Sequence, residues 1–302
     1  MASKALKGHL ACFIAYAIFG VNIVICKDLT SSSLISPVGL YSIRAICAAA
    51  IFWILSIFTP KEKVDRKDFV KLLAASVTGF LVPQLSFLMA IPITTPMGCS
   101  IITATQPIYT MFIAAWALKE PITLKKAGGV ALSFAGILFL IFNSMGGNAS
   151  GETQPFGIVL MIINSIVFAL YLGLFKPLIS KYSVITYLKW IFLFATVMTL
   201  PMSAKEIFSI DYAAIPVDFL AELAFLIICA TVISYFLIPI GQRNIRPTLV
   251  SMYSYFQPLI ATGLSIMLGI EALGWQKIVA AVMVFAGVVI VSRSKSAEQN
   301  LK

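Results

Sequence analysis

Ten runs of about 20 mostly apolar residues divide the chain. They fall at roughly 9–27, 35–58, 69–90, 96–117, 125–143, 156–178, 184–200, 219–240, 247–269 and 274–292 of 302 residues. A hydrocarbon core about 30 Å thick is crossed by about 20 helical residues. Every backbone N–H and C=O inside it needs a partner within the chain, which leaves only helices and closed barrels. Barrel strands are about half as long as these runs. The spacing therefore predicts an all-α integral membrane protein with ten transmembrane helices. Hydrophobic residues make up 60% of the chain and charged ones 11%. A soluble domain carries about 25% charged residues, so a soluble enzyme and a disordered chain are both excluded as classes. The net charge of +10 is read against a bilayer, not a nucleic acid.

Orientation follows from Lys and Arg on alternate sides of the spans. With the N-terminus inside, 16 of them fall in inner segments and three, Lys27, Lys205 and Lys277, in outer ones. Arg44, Lys71 and Lys189 lie within or at the start of spans. Both termini are expected in the cytoplasm, and a bacterial inner membrane suits the compact form. Lys4 and Lys7 precede an apolar run too long for a cleaved signal, so the first helix is expected to stay. Cys12, Cys26, Cys47, Cys99 and Cys229 lie in apolar runs without CxxC spacing and read as small buried hydrophobes. The outer triplet Asn148-Ala149-Ser150 matches a glycosylation sequon, a pattern common by chance.

The chain also resembles itself. A shift of 151 residues lays Gln106-Pro107 on Gln257-Pro258, Glu120 on Glu271, Lys126 on Lys277 and Phe134-Ala135-Gly136 on Phe285-Ala286-Gly287. A shift of 149 lays Gly8 on Gly157 and Lys27 on Lys176. Five spans per copy is an odd number, so the second copy enters the membrane upside down. Inverted repeats of this kind build many secondary transporters, because swapping the conformations of the halves exchanges inward and outward states. The expected division is 1–147, an outer linker 148–156, and 157–302.

These duplicated motifs, with Gly128-Gly129 and the opening Ser36-Pro37 to Arg44 of the second span, resemble the drug/metabolite transporter superfamily in its ten-helix EamA form. One departure is Ala272-Leu273 where the first copy has Pro121-Ile122. The resemblance implies a transporter, often an exporter, acting as a monomer or homodimer. It implies a central cavity formed by spans one, three, four, six, eight and nine. Mapped onto this sequence, the substrate candidates are Asn22, Gln84, Gln106, Tyr109, Asn164, Tyr171, Tyr235, Tyr255 and Gln257. Amides, hydroxyls and aromatic faces suit a small amphipathic metabolite such as an amino acid or a nucleoside-like compound.

Other residues carry two readings each. Pro107 and Pro258 lie inside spans, where proline kinks a helix, and read as fixed kinks or as hinges. Arg44 lies about 15 Å into the second span at 1.5 Å per residue. It is either held by backbone carbonyls or an anchor for a carboxylate or phosphate, in which case Lys27 and Lys176 would join it in an anion exchanger. Otherwise those two lysines are interfacial anchors. Lys189 is expected to snorkel to the inner surface. Ala127, Ala131 and Ala135 beside Gly128, Gly129 and Gly136 form a helix-packing face. Glu120 and Glu271 suit ion pairs at helix ends. Asp28, Glu222 and His9 lie near span ends, so no midplane carboxylate or histidine offers proton coupling. Facilitated diffusion or exchange is at least as well supported as proton antiport. HExxH, GxSxG and GxGD are absent from the sequence, which weighs against an intramembrane enzyme, and a receptor would leave the duplication unexplained. No cofactor or metal is expected, and the partners are a small-molecule substrate and lipid.

Overall fold

The structure, a computed structural model, describes residues 2–31, 35–94, 99, 102–144, 154–210, 215–267 and 274–294. The described residues are helical and contain no strand. In chain order the main helices are α1 (Ala2–Ser31), α2 (Pro37–Ile57), α3 (Arg66–Ile93), α4 (Gln106–Leu118), α5 (Leu124–Ser144), α6 (Pro155–Leu174), α7 (Val184–Ser209), α8 (Val217–Asn244), α9 (residues 247–267) and α10 (Trp275–Ser292). A short helix, Lys176–Lys181, joins α6 to α7. Among the described residues eight helices are long and apolar enough to cross a membrane: all of these except α4 and α9. Most of the 148–156 linker, the sequon, Glu271 and Ala272-Leu273 lie outside the described residues.

Helix ends follow local chemistry. Ser36 and Ser183 cap α2 and α7, each accepting a backbone N–H three residues on, at 3.0 and 3.1 Å. α7 corrects one expected boundary, because it runs through Pro201 to Ser209 where a polar connection was expected. Proline removes one backbone bond, and side chains on α2 hold the extension. Ser42 Oγ donates to Ser203 Oγ at 2.6 Å, and Ser36 Oγ donates to the Glu206 carboxylate.

Four interruptions shape the interior. α3 and α8 each contain a π-helical stretch, Val77–Leu81 and Leu226–Ile233, starting at the same 149-residue offset as the repeat. Such bulges leave carbonyls for side chains to use. Thr231 Oγ1 donates to Leu226 O at 2.7 Å, and Ser234 Oγ to Cys229 O at 3.0 Å. α9 tightens into a 3-10 turn at Tyr253–Tyr255, and the chain turns at residues 104–105 just before α4. Pro107 thus lies in the first turn of α4 and Pro258 just past the turn in α9, where a missing N–H costs little. They follow breaks instead of kinking continuous helices.

Packing follows the repeat. α1 packs on α8 and α9; its counterpart α6 packs on α3 and α4. The remaining tight pairs are α2 with α7 and α5 with α10, each a helix with its own counterpart. A Cβ on Gly8 would lie 2.8 Å from Asn244 Cβ and 2.9 Å from Ile245 Cγ2. One on Gly157 would strike Thr94 and Ile93, the residues 151 positions earlier. Of the expected small-residue face of α5, Gly129 and Gly136 pack against α10, whereas Gly128, Ala131 and Ala135 are exposed. A Cβ on Gly136 would lie 2.8 Å from Met283 Cβ, while one on Gly287 would overlap Ser133 Oγ and the Gly129 carbonyl.

Candidate functional site

A cavity of about 60 Å³ lies between the two halves, lined from α1, α3, the chain leading into α4, α6, α8 and α9. At about 10–15 Å³ per water position it holds roughly four to six waters. Asn22, Gln84, Gln106, Asn164, Tyr235 and Gln257 meet in its wall. Three repeat-related pairs share this wall. Gln106 and Gln257 are mates at the 151 shift, as are Gln84 and Tyr235; Phe19 and Phe168 are mates at 149.

The amides are only partly partnered. Gln84 Nε2 donates to Tyr235 Oη at 3.0 Å, joining the halves, and Asn164 Nδ2 donates to Pro83 O at 2.8 Å. Gln84 Oε1 is buried without a hydrogen-bond partner, and the buried Gln106 Nε2 and Tyr16 Oη have only one another nearby. Gln106 is 3% exposed and Tyr16 1%. A buried unpaired polar atom costs about 1–3 kcal/mol, which a solute or water in the cavity would offset at Gln84.

The remaining candidates lie elsewhere. Tyr255 lines a side pocket of about 10 Å³ that shares Ile23, Thr103 and Gln257 with the main cavity. Tyr171 is buried behind the wall, stacked on Phe168 at 5.5 Å, and Tyr109 on α4 is half-buried away from the wall. Sequence reasoning missed Tyr16, Phe19, Ile23, Phe87, Thr103 and Phe168. Two signals were available. Tyr16, Phe19 and Ile23 share a helical face with Asn22, and Phe19 repeats as Phe168.

Arg44 is 1% exposed and sits behind the wall, not in it. Its Nε donates to Thr231 Oγ1 at 2.8 Å, on the π stretch of α8, and its Nη1 contacts Cys26 Sγ at 3.8 Å. Cys26 Sγ in turn donates to Asn22 Oδ1 at 3.5 Å. A hydroxyl and a thiol thus hold the guanidinium where carbonyls were expected, and Nη2 has no partner. Lys176 Nζ donates to Ile245 O at 2.8 Å, so the cations of the anion-exchange reading do not converge on one cavity. Lys189 Nζ lies 4.9 Å from the centre of the Trp53 ring, a cation–π contact. His9 shares a 2.7 Å hydrogen bond with Tyr253 Oη. Glu222 lies beside Asp28, away from the main cavity.

A polar latch ties the halves on the face carrying the excess of Lys and Arg. Lys181 Nζ lies 2.5 Å from both Asp65 Oδ2 and Asp68 Oδ2, and Tyr182 Oη donates to Asp68 Oδ2 at 2.7 Å. Ser183 N donates to Glu62 Oε2 at 2.9 Å. The two carboxylates, Asp65 first, hold the Lys181 ammonium pKa above the ordinary lysine value. Aligning the caps Ser36 with Ser183 and the helix starts Arg66 with Val217, the counterparts of Lys181, Tyr182, Asp65 and Asp68 are Leu34, Ile35, Pro216 and Phe219. The lysine–carboxylate cluster thus has no sequence counterpart on the opposite face, where Ser36 bonds Glu206 and Glu222 lies beside Asp28 instead.

The model of the EamA-like transporter family matches residues 6–142 and again 155–293. An uncharacterized transporter of Bacillus subtilis, YetK, is 23% identical over 271 residues, covering 88% of this chain and 80% of its own. The uncharacterized inner membrane transporter YicL of Salmonella typhimurium is 24% identical, covering 87% of each chain. One crystal structure shares the fold at TM-score 0.72 and 14% identity, over 97% of both chains. With both halves matched, the chain belongs to the EamA-like transporter family and is a multi-pass integral membrane protein.

Proposed function

We propose that the chain is a secondary transporter that moves a small amphipathic metabolite by alternating access. Ten spans form two five-helix repeats of opposite orientation, with both termini in the cytoplasm of a bacterial inner membrane. The halves rock about the cavity, hinged near the breaks that precede Pro107 and Pro258. The observation that carries this reading is the set of repeat-related pairs, Gln106 with Gln257 above all, in the wall of one cavity between the halves. At about 60 Å³ the cavity is contracted and opens to admit a solute. In this conformation the Asp65, Asp68 and Lys181 cluster ties the halves together on the face read as cytoplasmic. Among the described residues no Asp, Glu or His lines the cavity, which favours facilitated or exchange transport over proton antiport. Net movement is outward when the cytoplasmic concentration is higher.

The test is counterflow of a labelled metabolite panel into proteoliposomes, with and without an imposed pH gradient. Saturable exchange that ignores the gradient supports the reading. Flux that follows the gradient overturns the facilitated mechanism and makes Glu222 and Asp28 the residues to replace. Absence of flux for the whole panel in functionally inserted protein contradicts a metabolite transporter.

A further inference from the structure

We propose that the cavity selects a solute without net charge: a flat heteroaromatic with a hydrogen-bond donor beside an acceptor, the chemistry of a nucleobase. This rests on the transporter reading above and narrows its substrate.

Among the described residues of the wall none is ionisable at neutral pH; their polar groups are carboxamides, phenols and one threonine hydroxyl. An ion taken from water into such a site loses several kcal/mol of solvation that only direct opposite charge restores. The cation behind the wall, Arg44, is engaged by Thr231 and Cys26 through Nε and Nη1, and its unpaired Nη2 does not reach the lining. It is too indirect to bind an anion, and its field opposes an ammonium. That argues against a zwitterionic amino acid, whose carboxylate and ammonium would both meet only neutral amides, phenols and a hydroxyl among the described residues.

A carboxamide presents a donor and an acceptor in one plane and bonds in pairs to the edge of a base. The wall offers both kinds: Gln84 Oε1 is an unpaired acceptor, and Gln106 Nε2, with only Tyr16 Oη nearby, has a second N–H to donate. Cys26 engages Asn22 Oδ1, so Nδ2 of Asn22 is the group left for a carbonyl oxygen. Phe19 and Phe168, repeat mates in the same wall, supply ring surfaces on which a flat ring stacks.

The experiment is equilibrium binding to the purified full chain in detergent. The probes are uracil, hypoxanthine and adenine, compared with phenylalanine as zwitterion and with benzoate and AMP as anions. At least one base is expected to bind saturably, at least tenfold tighter than every charged probe. Gln106→Leu is expected to weaken that base about tenfold. Gln106→Glu, which keeps the shape, is expected to do the same, so a folding defect in one variant leaves the other informative. Tighter binding of phenylalanine, benzoate or AMP overturns the proposal, as does base binding unchanged in a folded variant. Counterflow of an amino acid without base binding removes this proposal and leaves the transporter reading standing. Base binding without flux does the reverse.

Discussion

The turn between α4 and α5 holds a buried ion pair whose removal has a calculable cost. Lys119 ends α4 in the left-handed region at φ 52°, and Thr123 Oγ1 accepts the Lys126 N–H at 3.2 Å at the start of α5. Those two ends bring Lys126 Nζ to 2.6 Å from Glu120 Oε2, with the side chains 0% and 7% exposed. Removing one partner of a buried pair costs about 3–5 kcal/mol, because the other charge stays buried. The two single variants differ. Arg246 lies within electrostatic reach of both residues. In Lys126→Met it remains a partner for Glu120, so the cost falls near the lower end, about 3 kcal/mol. In Glu120→Gln it is a second cation beside an unpaired Lys126, and the cost approaches about 5 kcal/mol. The double variant buries no unpaired member of this pair and is expected within about 1 kcal/mol of the natural chain. Reversible unfolding by SDS in mixed micelles, followed by circular dichroism, measures all three. Single variants losing less than about 1 kcal/mol, or a double variant as unstable as the sum of the singles, would refute the reasoning.

Three further outcomes are expected. Gly287→Ala pushes a methyl into Ser133 and the Gly129 carbonyl and destabilises by about 1–3 kcal/mol, whereas Gly128→Ala, with nothing within 4 Å, changes stability by less than about 0.5 kcal/mol in the same unfolding assay. Replacing Pro107 and Pro258 together by Ala slows counterflow more than it weakens binding; unchanged turnover removes their hinge role. Asp68→Asn loosens the latch, and thiol labelling at a cysteine placed beside it rises; equal labelling would show that the latch holds nothing closed. The Lys181 share of the latch is fully present below its unfolded pKa near 10.4 and is lost as pH rises through the raised folded value. Raising pH from about 7 to 9 is therefore expected to leave that share intact, while salt weakens these exposed pairs.

Much of this architecture is legible in the sequence because a bilayer leaves few alternatives. An apolar run long enough to span it has to be helical, and a shift of about 150 residues that superposes Gln-Pro on Gln-Pro names two cavity residues at once. The interruptions were not legible. Leu226-Ile-Ile-Cys-Ala-Thr-Val-Ile233 reads as an uninterrupted helix, and only tertiary packing turns it into a π stretch that presents Thr231 to Arg44. Pro201 reads as a stop, yet contacts from Ser36 and Ser42 carry α7 past it. The site was legible in its amides and less so in its rings. Polar atoms in apolar spans announce themselves, whereas Phe19 and Phe168 resemble any lipid-facing phenylalanine until their repeat relation is noticed. Tyr171 shows the converse. It is the repeat mate of Asn22, but its ring packs against Gly79 behind the wall.

Alternating access is tested most directly by placing one cysteine in the cavity wall, Thr103→Cys, in a variant lacking the five native cysteines that still gives counterflow. Membrane-impermeant thiol reagent is then added to right-side-out and to inside-out vesicles. The expected result is labelling from both sides, with substrate conditions that raise reactivity on one side lowering it on the other. Labelling from one side only, or rising and falling on both sides together, would contradict a cavity exposed to each side in turn.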